Sequence, residues 1–157
     1  MYPPLAPAKV AFRNRGDLAF EEVGKQWGLD TPSIAHGVAE ADLDDDGDLD
    51  LVVNQYQAPA AIYRNNSAAP RVAVRLKGGG ANWQGIGAKV TLVGGAVPKQ
   101  SREVFCGGRY LSGGAQQLCF AAGKTADGMT LEVVWRNGRR TVVEQVAANR
   151  IYEITEP

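Results

Sequence analysis

The sequence contains few of the residues that most enzymatic and redox chemistry requires. It has one histidine and two cysteines among 157 residues, and its 17 basic side chains balance its 17 acidic ones. One histidine and two cysteines do not supply the clustered ligands of a zinc site, and two cysteines are too few to define the redox compartment. Because there is no net positive charge, we expect no nucleic acid and no anionic membrane surface among the partners.

Long hydrophobic runs are also missing. No apolar stretch approaches the ~20 residues of a membrane-spanning helix, no signal peptide is visible after Met1, and no long amphipathic helix is indicated. The chain instead has 45% hydrophobic residues, 19 glycines and 8 prolines. Many of these glycines and prolines separate short runs of β-branched residues, and this arrangement predicts an all-β chain with a sizeable core.

Short predicted strands follow one another along the whole chain. In the first half they cover residues 10–13, 18–23, 37–41, 49–54 and 61–64. In the second half they cover residues 72–76, 89–93, 102–106, 118–121, 131–135, 139–143 and 150–154. Asn137-Gly138 between two alternating runs predicts a β-hairpin, and we expect 102–106 to pair with 118–121. Turn-forming residues at 65–70 divide the chain into domains 1–69 and 70–157.

The most informative motif is the acidic loop at residues 42–50, which reads DLDDDGDLD. Gly47 permits a sharp turn, and alternate carboxylates on a curled backbone converge on one point. Hard oxygen ligands at such a point suit Ca²⁺. We therefore expect one Ca²⁺ held by the side chains of Asp42, Asp44, Asp46 and Asp50 and by the backbone carbonyl of Asp48.

The acidic loop differs from an EF-hand. Val53 stands where that motif needs a bidentate glutamate, and residues 49–53 are typical of a strand. Asp45 should point to solvent, because adjacent residues cannot both face the ion. The alternative is a solvated acidic turn without metal. Crowding of like charge makes that alternative costly, so we favour a calcium loop between two strands.

Two sets of motifs in the chain resemble known families. Phe12-Arg13-Asn14 and Tyr63-Arg64-Asn65 repeat an aromatic-Arg-Asn pattern about fifty residues apart, on either side of the acidic loop. With that loop, residues 9–66 resemble one FG-GAP/VCBS repeat, the blade of integrin-like β-propellers. GIGAKV at 85–90, LEVVW at 131–135 and ANR at 148–150 resemble an ASPIC/UnbV domain, as in the cartilage acidic protein family.

The resemblance implies one propeller-type blade followed by a small β-sandwich-like domain. It also implies calcium binding by the repeat and an extracellular or cell-surface location. Propellers close with four to eight blades, and a single blade leaves its faces unpaired. We therefore expect this blade to be the last of a longer propeller, or to be covered by its own second domain or by another copy.

The expected function is a calcium-stabilised structural and interaction module that is not an enzyme. His36 with Ser33 and a loop aspartate would form a catalytic triad, but no nucleophile elbow is visible. Two alternatives stay open. One is an accessory or cyclase-type enzyme component of secondary metabolism. The other is a carbohydrate-binding module that uses Trp27, Trp83 and Trp135, so an extracellular protein or a glycan remains open as partner.

The two cysteines allow two interpretations. Cys106 and Cys119 lie on strands that we expect to pair, and in an exported family such cysteines form disulfides. The bond requires Cβ atoms that lie close together. Two small buried thiols explain the same residues, so both interpretations stay open.

Overall fold

The computed structural model describes residues 6–107, 109–123 and 128–157. These residues form thirteen strands and one 3-10 helix, Gly80–Asn82, and contain no helix long and apolar enough to span a membrane. The strands are β1 Phe12–Gly16, β2 Ala19–Glu22, β3 Ala35–Ala41, β4 Asp50–Gln55, β5 Ala61–Tyr63, β6 Arg71–Lys77, β7 Lys89–Val93, β8 Lys99–Glu103, β9 Gly113–Gly114, β10 Gln117–Ala121, β11 Met129–Val134, β12 Arg140–Val146 and β13 Arg150–Thr155. The predicted all-β fold is confirmed.

The first five strands form a separate hairpin and most of one sheet. β1 and β2 pair only with each other among the described strands, whereas β3, β4 and β5 form an antiparallel meander. A fourth strand, β9, comes from the second half of the chain and adds parallel to β3, with Ala39 opposite Gly113. The sheet order β5-β4-β3-β9 therefore joins the two halves of the chain.

The second half contains two further sheets around one core. The sheet orders are β10-β6-β13 and β12-β11-β7-β8. Inward residues alternate along these strands, as expected for half-buried sheets, and side chains from both sheets form one cluster that includes Val72, Val74, Val90, Leu92, Phe120, Leu131, Val133 and Trp135. The arrangement is sandwich-like, with β6 and β10 held in place as neighbours in one of its two sheets.

One predicted strand pair is wrong. β8 pairs with β7, and β10 pairs with β6, so the strands expected to pair across residues 107–118 belong to different sheets. Cys106 and Cys119 are free thiols, the first exposed and the second partly buried. The disulfide interpretation is therefore wrong in this structure, because the strand pairing that motivated it does not form.

The predicted hairpin at Asn137-Gly138 is confirmed. β11 and β12 are antiparallel neighbours, and Trp135 N–H donates to the Arg139 carbonyl at 2.9 Å across the turn. Gly138 has φ +86°, a left-handed conformation that glycine adopts without the steric cost of a Cβ atom.

Candidate functional site

The acidic loop connects β3 to β4, as the sequence predicts. Asp45 has φ +59° and Gly47 has φ +93°, so the backbone turns sharply at both residues. The Asp42 carboxylate accepts the N–H groups of Asp46 and Gly47, each at 3.0 Å. The first residue of the loop therefore closes the curl, because its side chain satisfies backbone donors that no strand partner reaches.

Three of the five predicted metal ligands come together at this curl. Asp42, Asp44 and Asp46 each offer a carboxylate oxygen, and these three oxygens lie within 4.8 Å of one another. Asp45 lies between them in sequence, and its side chain is 74% exposed. The alternation of inward and outward residues agrees with the prediction made from the spacing.

Asp50 lies outside the group of three. It is buried, and its two carboxylate oxygens accept hydrogen bonds from the Leu43 N–H at 3.0 Å and the Asn65 N–H at 2.7 Å. Asp50 therefore ties the start of the loop to the chain that follows β5. Each of these oxygens accepts a single N–H and so retains one lone pair.

Asp48 is a buried residue of the loop, and its side chain is 7% exposed. Neither of its carboxylate oxygens accepts a hydrogen bond within the described residues. Burial raises the pKa of the Asp48 carboxyl, Arg71 opposes that shift, and neighbouring carboxylates such as Asp46 add to it. A buried carboxylate without hydrogen bonds is costly, so this residue needs positive charge nearby.

Arg71 of β6 supplies part of that charge. Its Nη2 atom lies 3.1 Å from Asp46 Oδ1 and 3.3 Å from Asp48 Oδ2, and it also donates to the Asp46 carbonyl at 2.9 Å. The side chain is only 19% exposed. This guanidinium therefore bridges two consecutive inward residues of the loop.

Two more arginines pair with the remaining carboxylates. Arg64 Nη2 lies 2.5 Å from Asp44 Oδ2. Arg75 Nη2 lies 2.7 Å from Asp45 Oδ1 and 3.4 Å from Asp42 Oδ2. Arg64, Arg71 and Arg75 were not predicted from the sequence as partners of the loop. The only signal was weak: Arg71 and Arg75 are four residues apart and therefore share one face of β6.

The acidic loop packs against side chains of β6 and β10. Gln117 Nε2 donates to Asp42 Oδ2 at 3.0 Å, and Cys119 Sγ donates to the Gly47 carbonyl at 3.3 Å. Burial raises the pKa of the Cys119 thiol, which favours the protonated form that donates. Ala73, opposite Cys119 in the sheet, is fully buried. Side chains from the second half of the chain therefore support the candidate metal site.

The other predicted functional side chains are not brought together. His36 packs edge-on against Tyr56 with ring centroids 6.3 Å apart, and Ser33 Oγ is bonded to Lys9 Nζ at 2.7 Å. Within the described residues no hydrogen bond joins His36 to Ser33 or to the loop. This geometry does not assemble the triad that the sequence left open.

The three tryptophans also have separate environments. Trp135 is buried and donates from Nε1 to Thr141 Oγ1 at 2.9 Å. Trp83 is exposed after the 3-10 helix, and Trp27 is exposed near Arg13. They do not form one continuous aromatic row.

Comparison with known proteins identifies the second half of the chain. A family model described as ASPIC and UnbV matches residues 78–157, just over half of the sequence. No curated protein matches the chain. The matched region contains β7 to β13, including Gln117 and Cys119, whereas the acidic loop and its three arginines precede it. The FG-GAP/VCBS resemblance of residues 9–66 stays a prediction.

Proposed function

The chain belongs to the ASPIC and UnbV family, and we propose that it is a calcium-stabilised structural and interaction module of an extracellular protein. The observation that carries the proposal is the convergence of Asp42, Asp44 and Asp46 beside the buried Asp48. These donors are hard oxygens that carry excess negative charge, which is the chemistry that Ca²⁺ prefers. The proposed role is not catalytic.

The residues present fit a calcium ion. Asp42, Asp44 and Asp46 would hold it through their side chains, with Asp48 as a further oxygen donor. The ion would supply positive charge that offsets the repulsion among the carboxylates. Asp50 lies outside the group of three and ties Leu43 to Asn65, so we assign it first to the shape of the loop and only second to the ion.

Two of the arginines that pair with the proposed ligands differ in their exposure to solvent. The Arg64–Asp44 pair is partly exposed to solvent, and exposed ion pairs contribute only about 0–1 kcal/mol. Calcium would therefore displace Arg64 from Asp44 at little cost. Arg71 is mostly buried and contacts two carboxylates. We therefore expect it to stay paired with Asp46 and Asp48 when the ion is bound.

Calcium at this loop would stabilise the contact between the two halves of the chain. The loop lies on Gln117, Cys119 and Ala73, and its curl depends on Asp42. An ion that binds only the folded state adds RT ln(1 + [L]/Kd), about 2.7 kcal/mol at a hundredfold excess over Kd. The function proposed for the ion is therefore structural.

Thermal melts with EGTA, Ca²⁺ or Mg²⁺, together with calorimetric titration, test the proposal. Ca²⁺ should raise the Tm of the full chain. Mg²⁺ should act weakly, because it retains its waters and demands octahedral geometry. Asp44→Asn should remove most of the Ca²⁺ shift, and Asp45→Asn, the matched control one residue away, should preserve it. An unchanged Tm with Ca²⁺, or loss of the shift in Asp45→Asn alone, would refute the site.

The interaction role rests on the β1–β2 hairpin. Register places Phe12 opposite Glu22 and Asn14 opposite Phe20, so Phe12 and Phe20 share one face. Both rings are exposed, as is Leu18 at the turn. An exposed apolar surface of this kind is typical of an interaction site. We propose that it contacts other blades of a longer protein or a second copy of the chain. Light scattering tests the second case: wild type should then be larger than a monomer, and Phe20→Ser should shift it toward the monomer.

A further inference from the structure

A second candidate site lies next to the acidic loop. A cavity of about 730 Å³ lies among β1, residues 26–29, and the segment from β5 to Ser67. Its volume falls within the range of ligand-binding cavities. Leu29, Leu49 and Leu51 give it an apolar wall, and polar and aromatic side chains form the rest.

The charge of the cavity is one-sided. Two guanidinium groups, from Arg13 and Arg64, line it, and none of its described lining residues carries a carboxylate. The chain as a whole has equal numbers of acidic and basic side chains, so this local excess of positive charge is a property of the site. Arg64 is paired with Asp44, whereas Arg13 forms no ion pair within the described residues. The cavity therefore favours an anion.

An aromatic surface lies beside Arg13. The Arg13 guanidinium lies over one face of the Trp27 ring, 5.3 Å from its centroid, and Trp27 is 48% exposed. Tyr63 of β5 contributes a second, partly buried ring to the lining. Such rings offer flat apolar faces that pack against the C–H face of a sugar ring, and the guanidinium binds a carboxylate through two parallel hydrogen bonds.

The remaining polar groups of the cavity can form hydrogen bonds with hydroxyl groups. Gln26, Asn65 and Asn66 contribute carboxamides, and Ser67 contributes a hydroxyl. A carboxamide both donates and accepts, which is what a ring of vicinal hydroxyls requires. The segment has neither a helix N-terminus nor a glycine-rich loop of the kind that binds phosphate. The lining therefore offers hydrogen-bonding groups to the hydroxyls of a sugar and a guanidinium to its carboxylate.

We propose that this cavity binds a carboxylated saccharide, with Trp27 against the sugar ring and Arg13 on the carboxylate. The site adjoins the proposed calcium site, with which it shares Leu49 and Arg64, but its aromatic ring and its unpaired guanidinium belong to residues outside the acidic loop. It gives the interaction module a ligand class: an acidic glycan.

The test uses the full chain and three oligosaccharides that contain glucuronate, galacturonate or sialate, each beside its carboxyl-reduced counterpart. AMP serves as the nucleotide probe. Binding is measured by calorimetry and by tryptophan fluorescence, in Ca²⁺ and in EGTA. At least one acidic oligosaccharide should bind, and reduction of its carboxylate should weaken binding about tenfold, the effect of one charge-assisted hydrogen bond.

Variants locate the site. Arg13→Gln should weaken binding about tenfold, and Trp27→Ala should weaken it at least as much. Arg15→Gln removes a charge from the same strand at a residue paired with Glu21, and Trp83→Ala removes an exposed ring elsewhere. Both controls should bind like wild type. Melting curves show that each variant is folded, and the exposed Arg13 provides the test if Trp27→Ala does not fold.

Three results would overturn the proposal: no acidic oligosaccharide binds, AMP binds more tightly than all of them, or folded Arg13→Gln and Trp27→Ala both bind like wild type. The Ca²⁺-induced Tm shift is recorded on the same samples. Failure of saccharide binding with a normal Ca²⁺ shift, or the reverse, therefore separates the two proposed sites.

Discussion

Gln117 donates from Nε2 to Asp42 Oδ2 at 3.0 Å and thereby links the ASPIC and UnbV domain to the first carboxylate of the acidic loop. Gln117 is buried, and its Oε1 accepts from Arg75 Nε at 2.6 Å. A carboxamide can donate to a carboxylate and accept from a guanidinium at the same time. The loop and the domain therefore share one network of hydrogen bonds, which runs from Arg75 through Gln117 to Asp42.

Gln117→Glu should destabilise the protein at neutral pH in EGTA. The new carboxylate has no hydrogen to donate to Asp42 and adds a like charge beside it, whereas Arg75 is already paired. We expect a loss of about 1–3 kcal/mol in the free energy of unfolding, measured by urea denaturation. Gln116→Glu is the matched control. Equal losses in both variants would contradict the role assigned to Gln117.

Gly37→Ala should loosen the contact of β3 with the second half of the chain. A Cβ atom at Gly37 would lie 2.2 Å from the Leu111 carbonyl oxygen, so backbone must move. The adjacent hydrogen bond from Val38 N–H to Ser112 Oγ, at 2.9 Å, should break with it. We expect a loss of about 1–3 kcal/mol and faster hydrogen exchange at the Val38 amide.

The control for this variant is Gly113→Ala in β9. A Cβ atom there would meet no heavy atom within 4 Å, so the stability should stay close to that of wild type. If Gly37→Ala left the Val38 amide as protected as it is in Gly113→Ala, the contact between β3 and the 111–113 segment would not be held as described.

Asp48→Asn should stabilise the metal-free protein at neutral pH. Burial raises the pKa of Asp48 in the folded state, so folding favours its protonated form. That contribution is fully present below the unfolded value of about 3.9 and is lost as the pH rises through the folded pKa. The stability of Asp48→Asn minus that of wild type, measured in EGTA, should therefore grow from acid to neutral pH. Asp30→Asn, at an exposed site, should show no such growth.

Cys106 and Cys119 should both be free and should react at different rates. Cys106 is exposed, whereas the Cys119 thiol is partly buried, has a raised pKa and donates to the Gly47 carbonyl. Because the thiolate is the reactive form, alkylation at neutral pH should be at least about tenfold slower at Cys119. Mass spectrometry assigns the two phases, and Cys106→Ser should abolish the fast one. Denatured, unreduced protein without free thiols would contradict this.

The sequence by itself determined the local features of this protein. The all-β class, the Asn137-Gly138 hairpin and the outward orientation of Asp45 follow from side-chain alternation and turn chemistry, which act over a few residues. The grouping of Asp42, Asp44 and Asp46 is equally local, because a two-residue spacing on a curled loop places alternate carboxylates on the same side.

Only the tertiary structure decided which distant groups meet these local features. Gln117 is 75 residues from Asp42, and Cys119 is 72 residues from Gly47. The pairing of β10 with β6, and not with β8, brings Gln117 and Cys119 under the loop and separates Cys119 from Cys106. Strand periodicity states which face of a strand is buried but not which strand lies beside it. That choice is set by packing of the whole core, and it therefore lies beyond any local pattern in the sequence.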